Sequence, residues 1–384
     1  MGKVLIVGPI GDFGGTELEA GFIAKSLSSK YEVSVCSTGN ISKNSEIYNC
    51  RRKFKVYTLN QLLYKNDVFL RLLAKVSYIK NNRHKDIFSL INNKIAKSYF
   101  NYDKKRTDLL NLLIPQYDLV LICAQLSSVM ISDIITVSKK NKKPLVFRVT
   151  TTVKRHTISN PDIFNKVDLF IFHSQKNSKN FEKYYFEPPY LLIDQCAIKE
   201  SELLRLPLKN KRIDNFFVLS RLSKEKQINV VINAFKNVSK KEGRLFIFGE
   251  GDEKRNLVNL AVNDGNIVLK GYVENSEIVN VFKNCDCLVI SSSEEAGPLT
   301  ALEAMASGTP IISTKVGAME ERLGDDCFWY DGSQEDLENK MKLITSMSES
   351  QISNLSEKLR RRYLSNYKIS FIEKKYINAV ERLI

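Results

Sequence analysis

Two carboxylates with seven residues between them, Glu295 and Glu303, and two cations five positions apart, Arg221 and Lys226, are the residues best placed to do chemistry. Between the acids runs Pro298-Leu299-Thr300-Ala301, where a proline at the first helical position opens an apolar helix that Gly308 closes. The first amides of that helix, on Leu299, Thr300 and Ala301, have no carbonyl partner within it and suit a phosphate. A loop acid, an anion-binding helix start and an acid one or two turns further in would together hold a sugar, a diphosphate and a ribose. A helix cap at Glu295 and a satisfied core acid at Glu303 is the plainer alternative. Arg221 and Lys226 follow a short apolar run, Phe216-Phe217-Val218-Leu219, at a strand-to-helix turn. A guanidinium binding through two N–H groups and an ammonium acting as a point charge can converge there on a diphosphate. A solvated basic loop is the other reading of that turn.

These residues need strands to carry them. Short β-branched runs at 216–219, 245–248, 267–269, 287–290 and 310–312, separated by helical patterns, predict a parallel sheet. The first half repeats the alternation, with strands at 4–7, 33–36, 119–123, 145–149, 169–172 and 191–193. Helices are expected near 15–29, 60–80, 87–113, 127–140 and 175–184. Residues 199–214 lack periodicity, include Pro207 and predict a linker between two domains; 350–384 predict two helices. Glycines punctuate three of the strand ends: Gly14-Gly15 after the first, Gly249-x-Gly251 after 245–248, and Gly271 before Tyr272-Val273. Each lets backbone approach a neighbour or a ligand closely, and each alone is a weak signal.

A chain of 384 residues with 43% hydrophobic and 26% charged residues is long enough for two globular domains. Seven cysteines, with no CxxC or Cys/His spacing, predict reduced thiols, and Cys285-x-Cys287 predicts packing rather than metal ligation. The net charge is +15, and residues 51–110 carry +11 of it, from 15 Lys/Arg against four acids. Nucleic acid, an anionic membrane surface or a solvated face would each account for that excess. Apolar residues at helical spacing between the cations, among them Leu62, Leu63, Phe69, Leu70, Leu72 and Leu73, suit an interfacial helix as well as a core-facing one. The aromatic residues there form no RNA-binding motif. No run approaches the roughly 20 apolar residues that span a bilayer, and Met1-Gly2-Lys3 leads into too short a run for a signal peptide. The expected location is cytoplasmic, peripheral on the inner face of the cytoplasmic membrane.

Glu295-x7-Glu303 followed by Ala304-Met305-Ala306-x-Gly308-x-Pro310 resembles the signature of the retaining glycosyltransferases of family 4. That resemblance implies the GT-B fold, α/β with two Rossmann-like doubly wound domains facing across a cleft. Residues 1–198 would be the acceptor-binding domain, 199–214 the linker, 215–365 the nucleotide-sugar domain, and 366–384 a terminal helix crossing back to the first. It implies that Glu303 binds the ribose and that Glu295 sits beside the donor sugar and phosphates. Arg221 and Lys226 would neutralise the leaving diphosphate, and Gly249, Gly251, Tyr272 and Val273 would line the nucleotide pocket. Gly14 and Gly15 would face the donor phosphates. The family's usual Glu-Gly-Phe-Gly is here Glu295-Ala296-Gly297-Pro298, so Gly297 lies where sugar selectivity is set. Many relatives have a histidine where Thr150 or Thr151 falls; here the nearest is His156, and Arg148, Thr150 and His156 are the acceptor-side candidates. His84 and His173 are expected to be structural.

The expected function is transfer of a sugar, with retention, from a nucleotide-sugar to a saccharide acceptor, lipid-linked or of lipopolysaccharide or capsule type. No Asp-x-Asp follows an apolar strand at a domain edge, so neither a metal nor another cofactor is inferred beyond the donor itself, and no nucleic-acid partner is inferred. A sugar-nucleotide epimerase of the same fold, or a non-catalytic basic binding protein, are the rival readings. The first would show no acceptor dependence; the second would leave Arg221, Lys226, Glu295 and Glu303 without a purpose.

Overall fold

The computed structural model describes residues 1–49, 54–81, 86–155, 158, 160–238 and 243–384. The chain divides into two compact units. One comprises Met1–Phe172, Ser178–Ile193 and Glu373–Ile384; the other comprises His173–Asn177 and Asp194–Ile372.

The first unit is built on seven parallel strands: β1 (Lys3–Gly8), β2 (Glu32–Ser37), β3 (Lys55–Thr58), β4 (Leu119–Ala124), β5 (Leu145–Val149), β6 (Leu169–Phe172) and β7 (Tyr190–Leu192). They lie in the order β3-β2-β1-β4-β5-β6-β7. The strand β4, Leu-Val-Leu-Ile-Cys-Ala, is buried along its whole length, as a central strand covered on both faces must be. Helices α1 (Gly15–Leu27), α2 (Leu59–Asn66), α3 (Val68–Lys80), α4 (Lys94–Tyr99), α5 (Tyr102–Leu113), α6 (Ile131–Lys140) and α7 (Gln175–Tyr184) follow in chain order.

Two long helices expected from periodicity are broken by caps. Asp67 ends α2 and starts α3, its carboxylate accepting the Leu70 N–H at 2.9 Å, so 60–80 is two helices. In 87–113, Asn93 caps α4 by accepting the Ala96 N–H, and Asn101 enters the left-handed region at φ 49° before α5. Met130, also left-handed, delays α6 to residue 131. The edge strand β3, Lys-Val-Tyr-Thr, is too polar and short to be read from its residues.

The second unit carries six parallel strands: β8 (Asn215–Leu219), β9 (Arg244–Phe248), β10 (Ile267–Gly271), β11 (Cys287–Ile290), β12 (Ile311–Ser313) and β13 (Phe328–Trp329), in the order β10-β9-β8-β11-β12-β13. Its helices are α8 (Glu200–Leu204), α9 (Ile228–Val238), α10 (Lys254–Ala261), α11 (Ile278–Asn284), α12 (Leu299–Ser307), α13 (Met319–Leu323), α14 (Gln334–Thr345) and α15 (Glu349–Asn366). A last helix, α16 (Ile369–Glu381), has most of its length in the first unit, where Tyr376 packs edge-on to Phe22 and donates to Glu19 at 3.3 Å. Both sheets are doubly wound, and each reverses direction once, between β1 and β4 and between β8 and β11.

The stretch 199–214 is part of the second unit rather than a free connection. It contains α8, buries Leu203, and sends Lys209 Nζ to the carbonyls of Phe282 and Cys285 at 2.7 and 2.6 Å, satisfying the end of α11. Its apolar residues are too few for a periodic signal, yet they pack. Cys285 and Cys287 are buried free thiols, consistent with packing.

Candidate active site

The sheet of the second unit reverses between β8 and β11, and the loops leaving their carboxyl ends carry the candidate residues. Arg221 and Lys226 leave β8; Ser291–Pro298 leave β11. The two loops are stitched together: the Ser293 N–H donates to Glu225 O at 2.8 Å, and Ser291 Oγ to Lys226 O at 2.6 Å. Lys226 Nζ forms an ion pair with Glu295 Oε1. Lys226 is buried, and burial pushes its ammonium down to about 8; Arg221 acts in the same direction, while Glu225 and Glu294 oppose it. Arg221, by contrast, is exposed and makes no ion pair among the described residues. Gln227, next to Lys226, is left-handed at φ 48°. A glycine would adopt that conformation without the steric cost a Cβ brings.

Helix α12 begins one residue later than expected. Pro298 is its N-cap, buried, and its carbonyl already accepts the Ala301 N–H at 3.2 Å. Two of the three expected amides, on Leu299 and Thr300, are left without an acceptor among the described residues. They form the positive end of a nine-residue helix dipole. Glu303 is buried one turn further on, and Gly308 ends the helix at φ 72°.

The glycines of the β9 and β10 ends have a steric origin. Gly249 (φ 137°) and Gly251 (φ 157°) lie against the backbone of the β8 loop. A Cβ on either would collide with the carbonyl oxygens of Ser220 and Leu222. The Gly249 N–H donates to Gly271 O at 2.7 Å and the Leu222 N–H to Glu250 O at 2.8 Å, so three strand ends are locked together. Tyr272 beside them is exposed and Val273 packs into the core.

A residue the sequence did not flag sits under the β11 loop. Arg322 of α13 is completely buried. It binds Asp194 through Nε at 2.8 Å and Nη2 at 2.6 Å, and donates from Nη1 to Pro298 O at 2.6 Å. Asp194 and Arg322 are 128 residues apart, beyond the reach of any local pattern.

In the first unit, Gly15 is open, with nothing within 4 Å of a Cβ placed there. Gly14 is not open in the same way: its N–H donates to Glu46 Oε2 at 2.8 Å, and the Gly11 N–H donates to Glu17 Oε1 at 2.7 Å. Two carboxylates thus already satisfy amides of a loop expected to face phosphates, and burial raises the Glu17 carboxyl. Arg148, named as an acceptor-side candidate, lies buried inside the first unit. It has no exposed surface, pairs with Glu19 through Nε at 2.6 Å and Nη2 at 2.5 Å, and donates to Ile193 O. A guanidinium so buried and so paired fits a structural role. Thr150 is half-buried, its amide on Ala124 O and its hydroxyl without a partner among the described residues. His156 lies outside the described residues, as do the basic residues at 51–53 and 83–85.

Among the described residues no cluster of His, Cys, Asp and Glu could hold a metal ion, and no helix is long and apolar enough to cross a membrane. Residues 204–363 match the family described as glycosyl transferases group 1. Over 116 residues the chain is 34% identical to the alpha-monoglucosyldiacylglycerol synthase of Streptococcus pneumoniae, covering 29% of this chain and 26% of that protein. Over 241 residues it is 24% identical to an uncharacterized glycosyltransferase of Methanocaldococcus jannaschii, covering 52% and 58%. The chain therefore spans between about a quarter and three fifths of the length of these curated relatives. The crystal structure of Anabaena HepE in complex with UDP and glucose superimposes with a TM-score of 0.74 at 16% identity, over 99% of this chain and 100% of that one. This likeness shows the fold, which is GT-B.

Proposed function

From a chain whose residues 204–363 match the glycosyl transferases group 1, we infer a retaining glycosyltransferase that uses a nucleotide-sugar donor. The observation that carries this reading is the Lys226–Glu295 ion pair beside the open start of α12 and the exposed Arg221. The diphosphate lies on the amides of Leu299 and Thr300, with Arg221 and Lys226 neutralising its charge. Glu303 takes the ribose hydroxyls and Glu295 orients the sugar, its negative charge held in place by Lys226. In the reaction the bond between the anomeric carbon and the β-phosphate oxygen breaks, and its electron pair stays on that oxygen. The acceptor hydroxyl attacks from the same face and gives its proton to the departing phosphate. Cations and helix dipole stabilise the developing charge. In this reading the protein's own positive groups supply that charge compensation, without a resident metal.

The acceptor we propose is lipid-linked, presented at an anionic bilayer. Helix α3 supports this: Val68, Phe69, Leu72, Val76 and Ile79 are each more than half exposed. At about 100° per residue they fall within roughly a third of the helix circumference, with Lys75 and Lys80 at its margins. An apolar row facing solvent between cations suits the headgroup boundary of an anionic membrane.

The test is thermal stabilisation of the purified protein by a panel of nucleoside diphosphates and their sugars, UDP first because the HepE complex contains it. Binding raises the melting temperature by mass action. A shift with one nucleoside diphosphate, lost in Arg221→Ala, is expected. No shift across the panel would remove the donor reading.

A further inference from the structure

We propose that Arg322 is a positioning residue for the donor site, holding the start of α12 and the Glu295 loop at the geometry that binds a diphosphate. This rests on the reading of α12 as the diphosphate site. Arg322 is completely buried, as are its neighbours in sequence Ala318, Met319 and Leu323. An apolar side chain of similar volume would fill such a place without the desolvation cost of a buried ion pair. The guanidinium therefore needs another account, and its remaining contacts supply one.

Its Nη1 donates to Pro298 O, the carbonyl of the α12 N-cap. Its Nη2 lies where a Cβ on Gly297 would approach to 2.5 Å. Gly297 does not adopt a left-handed φ, so space for Arg322, and not backbone freedom, is what demands glycine there. Asp194 and Gln195 Oε1 hold the other guanidinium atoms, the latter at 3.3 Å, so the fork cannot turn away. The same segment braces the loop a second time. The Ala318 N–H donates to Ala296 O at 2.9 Å, and a Cβ on Gly317 would run into the carbonyls of Ala296 and Glu295. Residues 317–322 are thus a template beneath 295–298, and Arg322 is the part of it that fixes Gly297 and Pro298, the two residues just before the free amides on Leu299 and Thr300. The altered motif Glu295-Ala296-Gly297-Pro298 is a set of residues shaped around this guanidinium.

The experiment is a mutant cycle with UDP as probe, read by calorimetry on the full chain, beside the melting temperature without ligand. Arg322→Met keeps the volume and removes the hydrogen bonds. We expect UDP affinity to fall at least tenfold while the ligand-free melting temperature holds or rises. Gly297→Ala should weaken UDP to a similar degree in the native background, and add nothing in the Arg322→Met background, where the space is free. Should Arg322→Met not fold, Gly297→Ala alone decides: native UDP affinity in it overturns the proposal. Native affinity in Arg322→Met, or losses that simply add, also overturn it and leave the donor reading standing. If the unaltered protein binds no nucleoside diphosphate at all, the donor reading falls and this inference with it.

Discussion

Lys226 and Glu295, 69 positions apart in the chain, form one ion pair at the carboxyl edge of the second sheet. Neither charge is fully hydrated, and each is the other's nearest counter-ion. A diphosphate arriving at α12 would therefore meet a preformed pair whose cation can turn to it while the carboxylate stays beside the sugar.

The pair makes the pH dependence specific. Burial lowers Lys226 from 10.5 to about 8. Between those values the folded protein has released the proton and the unfolded chain still binds it, so stability from this group rises with pH across that window. In the proposed mechanism transfer needs the ammonium and moves the other way: kcat/KM should decline above about pH 8. Lys226→Arg should abolish that decline, and Lys226→Ala should cost about 10²–10³ in kcat with the fold kept. A pH–rate profile for native protein and Lys226→Arg checks this; two superimposable profiles would remove Lys226 from the chemistry.

Backbone contact between the strand-end loops predicts which glycine matters for folding. Gly249→Ala must both hold φ 137° and displace the Ser220 carbonyl, and should lose about 2–4 kcal/mol. Gly265→Ala, with nothing within 4 Å of its new methyl group, should stay within about 0.5 kcal/mol of the native protein. Urea unfolding of the two variants at matched slope separates them. Equal midpoints would show that the loops can part without cost.

The second unit was more legible than the first for a physical reason. Its candidate signals are short-range: Glu295 and Glu303 flank the start of α12, Arg221 and Lys226 lie in one loop, and Pro298 and Gly308 bracket α12 to within a residue. Buried polar pairs leave no such trace. Asp194–Arg322 and Glu19–Arg148 join residues 128 and 129 positions apart, and each partner read alone resembles an ordinary charge. Arg148 lies on a strand running toward the expected site, a position that suggests exposure, whereas it is buried and paired with Glu19 on α1. Helix boundaries failed at Asp67, Asn93 and Asn101, where a short polar side chain or a left-handed residue outweighed an apolar period that continued through it. Packing of 199–214 escaped notice because Leu203 and Lys209 act through residues far along the chain.

Arg148 and Glu19 should behave as core, not as site. Glu19→Ala leaves a guanidinium with no exposed surface short of its counter-ion, and should destabilise the protein by about 3–5 kcal/mol. Arg148→Met with Glu19→Leu should recover much of that loss, since neither charge then remains buried. Chemical denaturation of the single and double variants measures it. Donor binding in the double variant should match the native protein, and a specific loss of activity at native stability would return Arg148 to the acceptor side.

Helix α3 offers the sharpest contrast between two adjacent residues. Phe69 points outward and Leu70 is wholly buried against Leu63, Ala74 and Ile91. Leu70→Ala should cost about 2–5 kcal/mol of stability, whereas Phe69→Ser and Val76→Ser should change it by less than about 0.5 kcal/mol. Vesicle flotation should order them in reverse. Phe69→Ser and Val76→Ser should weaken binding to anionic vesicles about tenfold or more, with neutral vesicles bound poorly by all. Raising salt from 0.1 to about 0.5 M should screen the Lys75 and Lys80 contribution and leave a residue of binding that the two serine variants lack. If both variants float as the native protein does at every salt concentration, α3 does not enter the bilayer, and its apolar row must serve some other contact.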